Sequence, residues 1–416
     1  MSDRLRSVGI VVYLRIGFRN ITRNGRRSGL TMAGIAFSVL LIGIAASLQD
    51  GSYATQRQIA TDLLTGHLQV THPLWPDESS VDQLVEHVNA VSGRILQVPG
   101  VQKVMPRLQM SALVSFGERT AAGAVFGMDL AQEATVTGLL KRLKHGNLPK
   151  NDSEMAIGST LARHLGVVPG DEVVLLGSGP QGSVAALSLY VSGILESGIA
   201  ETDRGLVITG ITALEEAMML EEAAHLLVVR GDGPLDALRL ADDIKAAAGD
   251  GLLVRTWQQV LPEVEQAIEL DRTGGYIFFG LLLFLVAFSV ANTFVMIVFE
   301  RTREIGMLRS LGMRPWTIIG LFQIEAIALW LLGVLAGLAI ALPVMLWLKW
   351  EGLYMGAALE TTLSQMYMPS RLHGELSVRS LYTAPLFLLL ATQLAALLPG
   401  LRARHILPAE AMRRGA

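Results

Sequence analysis

The chain has 416 residues and a formal net charge of -3, with 51% hydrophobic residues against only 17% charged. That balance, with a mean hydropathy of +0.44, excludes a disordered chain or a coiled coil and points to membrane spans, because globular chains carry about 25% charged residues. The near-neutral total provides no global field for nucleic acid, so no nucleic-acid partner is expected, and the absence of cysteine removes disulfides, thiolate metal sites and a cysteine nucleophile.

Residues 1–27 come first. Ile10, Leu14, Phe18 and Ile21 recur at helical spacing among arginines, which suits an amphipathic helix lying along the inner membrane surface. Ser28–Leu48 is the first stretch to meet the requirement of about 20 largely apolar residues for a span. Its apolar core is longer than the ~7–15 residues of a secretory signal, so it reads as an uncleaved anchor, although Ala45, Ala46 and Ser47 are small enough for a signal peptidase.

Residues 49–272 have the composition of a water-exposed α+β domain. Strands are expected at His67–Thr71, Met110–Val114, Ala122–Phe126, Glu172–Leu176, Leu187–Val191, Gly205–Ile208, His225–Val229 and Leu252–Thr256. Helices are expected at Val81–Val91, Ser159–Leu165, Thr212–Leu220 and Leu235–Ala248. The turn-rich Leu148–Asp152 marks a boundary between two subdomains. Gly177-Ser-Gly-Pro-Gln-Gly182 matches a G-x-G-x-x-G pattern, but Pro180 stands where a helix would open and no Lys-Ser/Thr follows, so it reads as a hairpin loop. His67 and His72 do not have the i,i+4 helical spacing of a zinc protease, and no G-x-S-x-G elbow or P-loop is present, so no catalytic residue is assigned and the chain is expected not to be an enzyme.

Further apolar stretches follow at Gly274–Phe299, Trp316–Leu348 and Leu381–Leu401, separated by a loop at 300–315 and a second at 349–380, with a tail at 402–416. The fold class is therefore an α-helical membrane protein with four spans, one before and three after a large α+β domain. The third span carries Glu325, and Gly333 and Gly337 form a G-x-x-x-G step that permits close helix packing. Pro385 and Pro399 read as brackets of the fourth span. Arginines cluster in residues 4–27, in the 300–315 loop (Arg301, Arg303, Arg309, Arg314) and in the tail. The positive-inside rule puts all three on the cytoplasmic side, with both termini, and the large domain on the other.

Within the loop, Ile305, Leu308 and Leu311 form an apolar edge at three-residue steps, and Glu300 with Arg303, and Arg301 with Glu304, are spaced to pair across a turn. Periodicity alone leaves two readings open, a helix that docks on a partner and a solvated linker. The stretch Asn292-Thr-Phe-Val-Met-Ile-Val-Phe-Glu-Arg-Thr-Arg-Glu-Ile-Gly-Met-Leu-Arg-Ser-Leu-Gly-Met313, with Gln323-Ile-Glu-Ala326, resembles the FtsX-like permease domain of MacB-type (type VII) ABC transporters. The tail from Pro399 to Arg413 and the segment Leu161–Leu176 are similar to the same family's C-terminal ending and periplasmic core.

The resemblance implies that Glu300, Arg301, Arg303, Glu304, Ile305, Gly306, Leu308, Arg309, Leu311 and Gly312 form a coupling helix that docks on a cytoplasmic ABC ATPase dimer. ATP and Mg would be held by that partner, and this chain would have no cofactor or metal of its own. With few residues before the first span and no fused ATPase, the chain looks most like the lipoprotein-releasing (Lol-type) permeases, a likeness extended by Gly66-His-Leu-Gln-Val70 and Leu261–Arg272. It implies a bacterial inner-membrane subunit paired with a second permease, identical or homologous. Helical stalks at 49–64 and 260–272 would carry motion to the outward domain, the substrate would be a lipid or lipoprotein, and a periplasmic carrier or adaptor is a further possible partner. Val39, Ile42, Phe278 and Leu282 are expected, from apolar identity and helix position, to line a lipid cavity. Efflux with an adaptor and an outer-membrane channel, or control of a periplasmic hydrolase, are the alternatives.

Overall fold

A computed structural model describes residues 25–300, 302–356, 358 and 371–403, apart from the side chains of residues 27, 303, 315, 398, 400, 402 and 403. The expected N-terminal amphipathic helix up to residue 24, residues 357 and 359–370 of the second loop, and tail residues 404–416 lie outside the described residues. The chain divides into a helical unit, with described residues 25–54, 269–355 and 371–403, and a β-rich unit from Thr55 to Ile268.

The β-rich unit is built on a 10-stranded sheet. Its strands are β1 (Leu68–Thr71), β2 (Val101–Phe116), β3 (Arg119–Met128), β4 (Leu143–Gly146), β5 (Glu154–Gly158), β6 (Glu172–Ser178), β7 (Val184–Leu195), β8 (Leu206–Gly210), β9 (Leu226–Gly231) and β10 (Leu253–Thr256). The pairings β2–β3, β3–β8, β8–β5, β5–β7, β7–β6 and β6–β2 close a ring. Closure removes free strand edges, and alternation along each strand sends Leu108, Met110, Val114, Val173, Leu175 and Leu187 into one core. That core is completed by the helices Ser159–Leu165 and Ile211–Met218. The N-terminal half of β2 leaves the ring to pair with β9, which leads on to β1 and β10. Helices Val88–Leu96 and Ala237–Ala248 and the indole of Trp257 cover this extension in a second core.

Each core draws on chain from both sides of the 148–152 turn, which lies between β4 and β5. The expected helix from Val81 to Val91 starts only at Val88, because Val85 is taken by an antiparallel bridge to Ala224 and His87 sits at a φ of 53. Strands β4 and β5 lie outside the expected strands, because the first is polar and mostly exposed and the second is five residues long. Residues 179–183 form the turn of the β6–β7 hairpin, with Gly177 and Ser178 paired in β6, and Gly179 N–H donates to the Ser183 carbonyl at 2.8 Å.

Among the described residues four helical segments are long and apolar enough to cross a membrane: Ser28–Thr65, Pro262–Glu300, Trp316–Trp350 and Val378–Leu397. The α-helices run Gly25–Ala60, Pro262–Glu300, Pro315–Trp350 and Val378–Ala403. Pro385 and Pro399 lie inside the fourth helix rather than at its ends, and Pro343 lies inside the third. Spanning helices accommodate such interruptions because neighbouring groups re-satisfy the freed backbone.

Contacts within the helical unit give the helix directions. Gly333 lies against Ile35 and Gly337 against Val39, so the first and third helices run parallel. Thr31 meets Thr293 (3.0 Å between hydroxyls) and Gly275 lies against Gln49, so the second is antiparallel to the first. Trp330 Nε1 donates to the Pro385 carbonyl (2.9 Å) and Gln323 to the Gln393 carbonyl (3.3 Å), so the fourth is antiparallel to the third.

Candidate functional site

Between the second and third helices, Thr302–Ser310 forms a separate short helix. Its C-terminus is closed by the hydrogen bonds Met313 N–H to the Leu308 carbonyl (3.1 Å) and Gly312 N–H to the Arg309 carbonyl (3.0 Å). With Gly312 at a φ of 88, this is a Schellman ending, which a glycine supports because it has no Cβ to strain the left-handed conformation. The local sequence therefore sets where the helix stops and turns the chain into the third span.

The predicted apolar edge divides. Ile305 is buried in the core of the helical unit, beside a buried Gly306, while Leu308 is half-buried. Leu311 is 79% exposed, and Met307, which the three-residue periodicity missed, is 54% exposed. Ile305 thus anchors the short helix, and Met307 with Leu311 is what it presents outward. Methionine's unbranched thioether adapts to an irregular partner surface, a signal that the sequence did carry. Glu300 and Gly312 are exposed, and Glu304 and Arg309 are half-buried. Arg301 and the Arg303 side chain lie outside the described residues, and with them both expected charge pairs.

The four residues expected to line a lipid cavity do not share one surface. Val39 and Ile42 are each 1% exposed, packed in the core of the helical unit, with Val39 under the third helix. A Cβ placed on Gly337 would fall 2.7 Å from Val39 Cβ, and one on Gly333 2.8 Å from Ile35 Cβ, so these glycines let the two backbones approach. Leu282 packs partly against the same core and Phe278 is half exposed. An apolar groove among the described residues of this unit lies elsewhere, ≈ 440 Å³ between the second and fourth helices, lined by Phe284, Ala287, Phe288, Ala391 and Leu394. A second groove, of ≈ 490 Å³ in the β-rich unit, is lined by Ile59, Leu63 and Leu64 on one side and Leu261, Val264 and Ala267 on another.

One end of the helical unit carries a polar belt. Arg379 donates to Asp50 (2.7 Å), Ser377 to the same carboxylate (2.5 Å) and Tyr53 to Asp271 (2.6 Å). Arg272 sits 5.6 Å over the Tyr53 ring and Arg379 5.3 Å over that of Tyr276. Stacking of guanidinium on aromatic faces and pairing with carboxylates joins the first, second and fourth helices there. Glu325 is buried within the third helix.

Residues 28–247 match the MacB-like periplasmic core domain, and residues 276–408 match the FtsX-like permease C-terminal domain. The lipoprotein-releasing system transmembrane protein LolC of Xylella fastidiosa (strain 9a5c) is 26% identical over 409 residues, covering 94% of this chain and 95% of that protein. LolC of Neisseria meningitidis serogroup B is 25% identical over 424 residues, covering 94% and 95%. LolE of Haemophilus influenzae is 23% identical over 400 residues, covering 91% and 92%.

Proposed function

The chain belongs to the family of ABC-transporter permeases that join a MacB-like periplasmic core to an FtsX-like C-terminal domain, and we propose that it is the non-catalytic permease subunit of a transporter that extracts lipoproteins from the bacterial inner membrane. The observation that carries this reading is the likeness to lipoprotein-releasing permeases over 94% of the chain. In this reading one span precedes the periplasmic domain, three follow it, and both termini are cytoplasmic. The alternating helix directions support that topology, because the 300–315 loop then shares a side with the described chain ends at residues 25 and 403.

Two permease subunits, identical or homologous, join a pair of cytoplasmic ATPases that hold ATP and Mg. The exposed Met307 and Leu311 of the coupling helix seat in the ATPase, and its closure moves the spans. The work is needed because each buried CH2 holds a lipid anchor by roughly 0.8 kcal/mol, so one long acyl chain resists desorption by on the order of 10 kcal/mol. The apolar groove beside Phe284 and Phe288 is the place in this chain for such a chain to lodge.

Vesicles carrying the full chain, its co-expressed ATPase and a labelled lipoprotein test the reading: ATP-dependent release is expected, and its absence sinks it. Leu311→Asp should lower stimulation of ATP turnover at least 10-fold with membrane insertion unchanged, whereas Ile305→Asp should lose the folded chain. Unchanged stimulation in the Leu311 variant would overturn the docking role. Co-purification of an outer-membrane channel or of a cell-wall hydrolase would favour efflux or hydrolase control instead.

A further inference from the structure

The first long helix ends in an unusual way. After Ala60 the chain makes a π-turn, Thr61–Thr65, closed by Gly66 N–H donating to the Thr61 carbonyl at 3.0 Å. Gly66 then turns sharply at a φ of 69, and a Cβ there would strike the Val228 side chain. A helix end leaves carbonyls without backbone donors and carries the negative end of the helix dipole. Here the Leu64 and Thr65 carbonyls, and that of Thr61 alongside its bond from Gly66, are taken by side chains from three adjacent strands, β1, β9 and β2.

From β2, Arg107 Nη1 donates to the Leu64 carbonyl. From β9, Arg230 Nη2 donates to the Thr61 carbonyl at 3.2 Å and also pairs with the Asp62 carboxylate. From β1, Gln69 Nε2 donates to the Thr65 carbonyl at 3.1 Å. Arg107 is itself aimed by a fork onto Glu133, Nε to Oε1 at 2.5 Å and Nη2 to Oε2 at 2.8 Å, with Thr137 donating its hydroxyl to the same carboxylate. Arg107 and Glu133 are 2% and 0% exposed. Leu63 and Leu64 pack on a small separate core of Met128, Leu139, Leu206 and Ile208.

A buried ion pair is a poor source of stability, since two apolar residues of similar volume commonly do as well. What it supplies is fixed geometry, as the planar guanidinium fork admits one orientation. The start of the second long helix differs. Trp257 is held by its N–H to the His67 carbonyl (3.0 Å) and its indole to the Pro234 carbonyl (2.8 Å), but Leu261, at φ -125, then interrupts the helix before Pro262. One attachment is gripped at several carbonyls and the other contains a break.

We infer that Arg107, aimed by Glu133, and Arg230 form a locked joint that makes the end of the first helix move as one piece with strands β2 and β9, while the second helix articulates at Leu261. The joint is a positioning element, and its consequence for transport rests on the reading of the chain as an ATP-driven permease.

Because the chain lacks cysteine, introduced cysteines are unique attachment points. Spin labels on Gln58→Cys in the helix and Thr120→Cys on β3, both exposed positions, are compared in the otherwise unaltered full chain and in Arg107→Met/Glu133→Leu, in lipid nanodiscs. Removing both charges together avoids stranding a buried one. A narrow distance distribution in the unaltered background, at least twofold broader in the double variant at unchanged melting temperature, supports the joint, and equal widths overturn it. Should the double variant fail to fold, Arg107→Lys, which keeps the charge but loses the fork, carries the same expectation with a smaller broadening.

In vesicles with the ATPase, the double variant should release labelled lipoprotein at least 10-fold more slowly while ATP turnover stays within twofold. A staple is available, because a Cβ on Gly138 would lie 3.2 Å from Asp62 Cβ, close to the separation a disulfide requires. Adding Asp62→Cys/Gly138→Cys should restore release on oxidation and lose it again on reduction. No slowing in the double variant, or equal release by the stapled variant before and after reduction at the unaltered chain's rate, overturns the joint's role in transport. Absence of release by the unaltered chain defeats the permease reading instead, and the distance measurement still decides the joint.

Discussion

In the β-rich unit the closed strand ring turns Leu108, Met110 and Leu175 inward, and charges that go inside are held by partners, Arg107 by Glu133 and Asp203 by the Ser197 N–H. In the helical unit Phe284, Leu285 and Phe288 point outward, the first and third helices meet across glycines, and a belt of charged groups around Asp50 and Arg379 joins helices at one end. The difference follows from the surroundings each unit is suited to. Water rewards hiding apolar area, whereas lipid is as apolar as leucine, so helices associate through close backbone approach and polar contacts instead. One chain thus holds two units by opposite uses of the same side chains.

Acid should separate the two most strongly. His67 and His225 are buried in the β-rich unit, His67 accepting the Gly231 N–H (3.1 Å) and His225 the Gln109 N–H (3.0 Å). Burial, aided for His67 by the Arg230 charge, lowers each from 6.5 to about 4. The folded state keeps both neutral while the unfolded chain protonates them, so the stability is present above pH ~6.5 and is lost as pH falls toward 4, by roughly 3 kcal/mol per histidine. The urea midpoint of tryptophan fluorescence should fall accordingly, and His225→Gln, which still donates and accepts, should remove about half the slope. A flat pH profile would break the contrast.

Next in size is the glycine seam. Gly337→Leu would press on Val39 Cβ and on the Ala36 backbone, 3.0 Å or less from the new Cβ. The backbone cannot yield like a side-chain tip, so a loss of about 2–3 kcal/mol is expected, seen as a lowered melting temperature in detergent. Tyr53→Phe is the mildest test: it removes the 2.6 Å bond to Asp271 but keeps the ring under Arg272, for about 1 kcal/mol. An effect as large as that of Gly337→Leu would mean that the polar belt, not the seam, dominates the helical unit.

Legibility in the sequence followed the range of the interactions concerned. The helix Ser159–Leu165 is legible in the sequence because its ending is local, with Gly166 at a φ of 77, and the β6–β7 turn is legible likewise from the glycine pattern at 177, 179 and 182. Strand β2 is legible only from Met110 to Val114 because Pro106 and Arg107 interrupt its apolar run; the partners that extend it, on β9, lie more than 100 residues away. In the short helix Thr302–Ser310 and its ending, three-residue spacing groups Ile305 with Leu311, but packing buries one and exposes the other. Val39 and Ile42 read as cavity residues because apolar identity is the same whether a side chain faces a cavity or another helix.

By itself the sequence determined how many long apolar helices there are, where they lie, and where the short helix before the third must stop, since length, hydropathy and capping are properties of neighbouring residues. The tertiary structure alone decided which strands close the ring, which face of each span meets another, and that Arg230 would find Asp62 across 168 residues of chain. Those outcomes depend on groups brought together from far apart, where the gain from closing a ring of strands or completing a buried charge pair exists only once every partner has arrived.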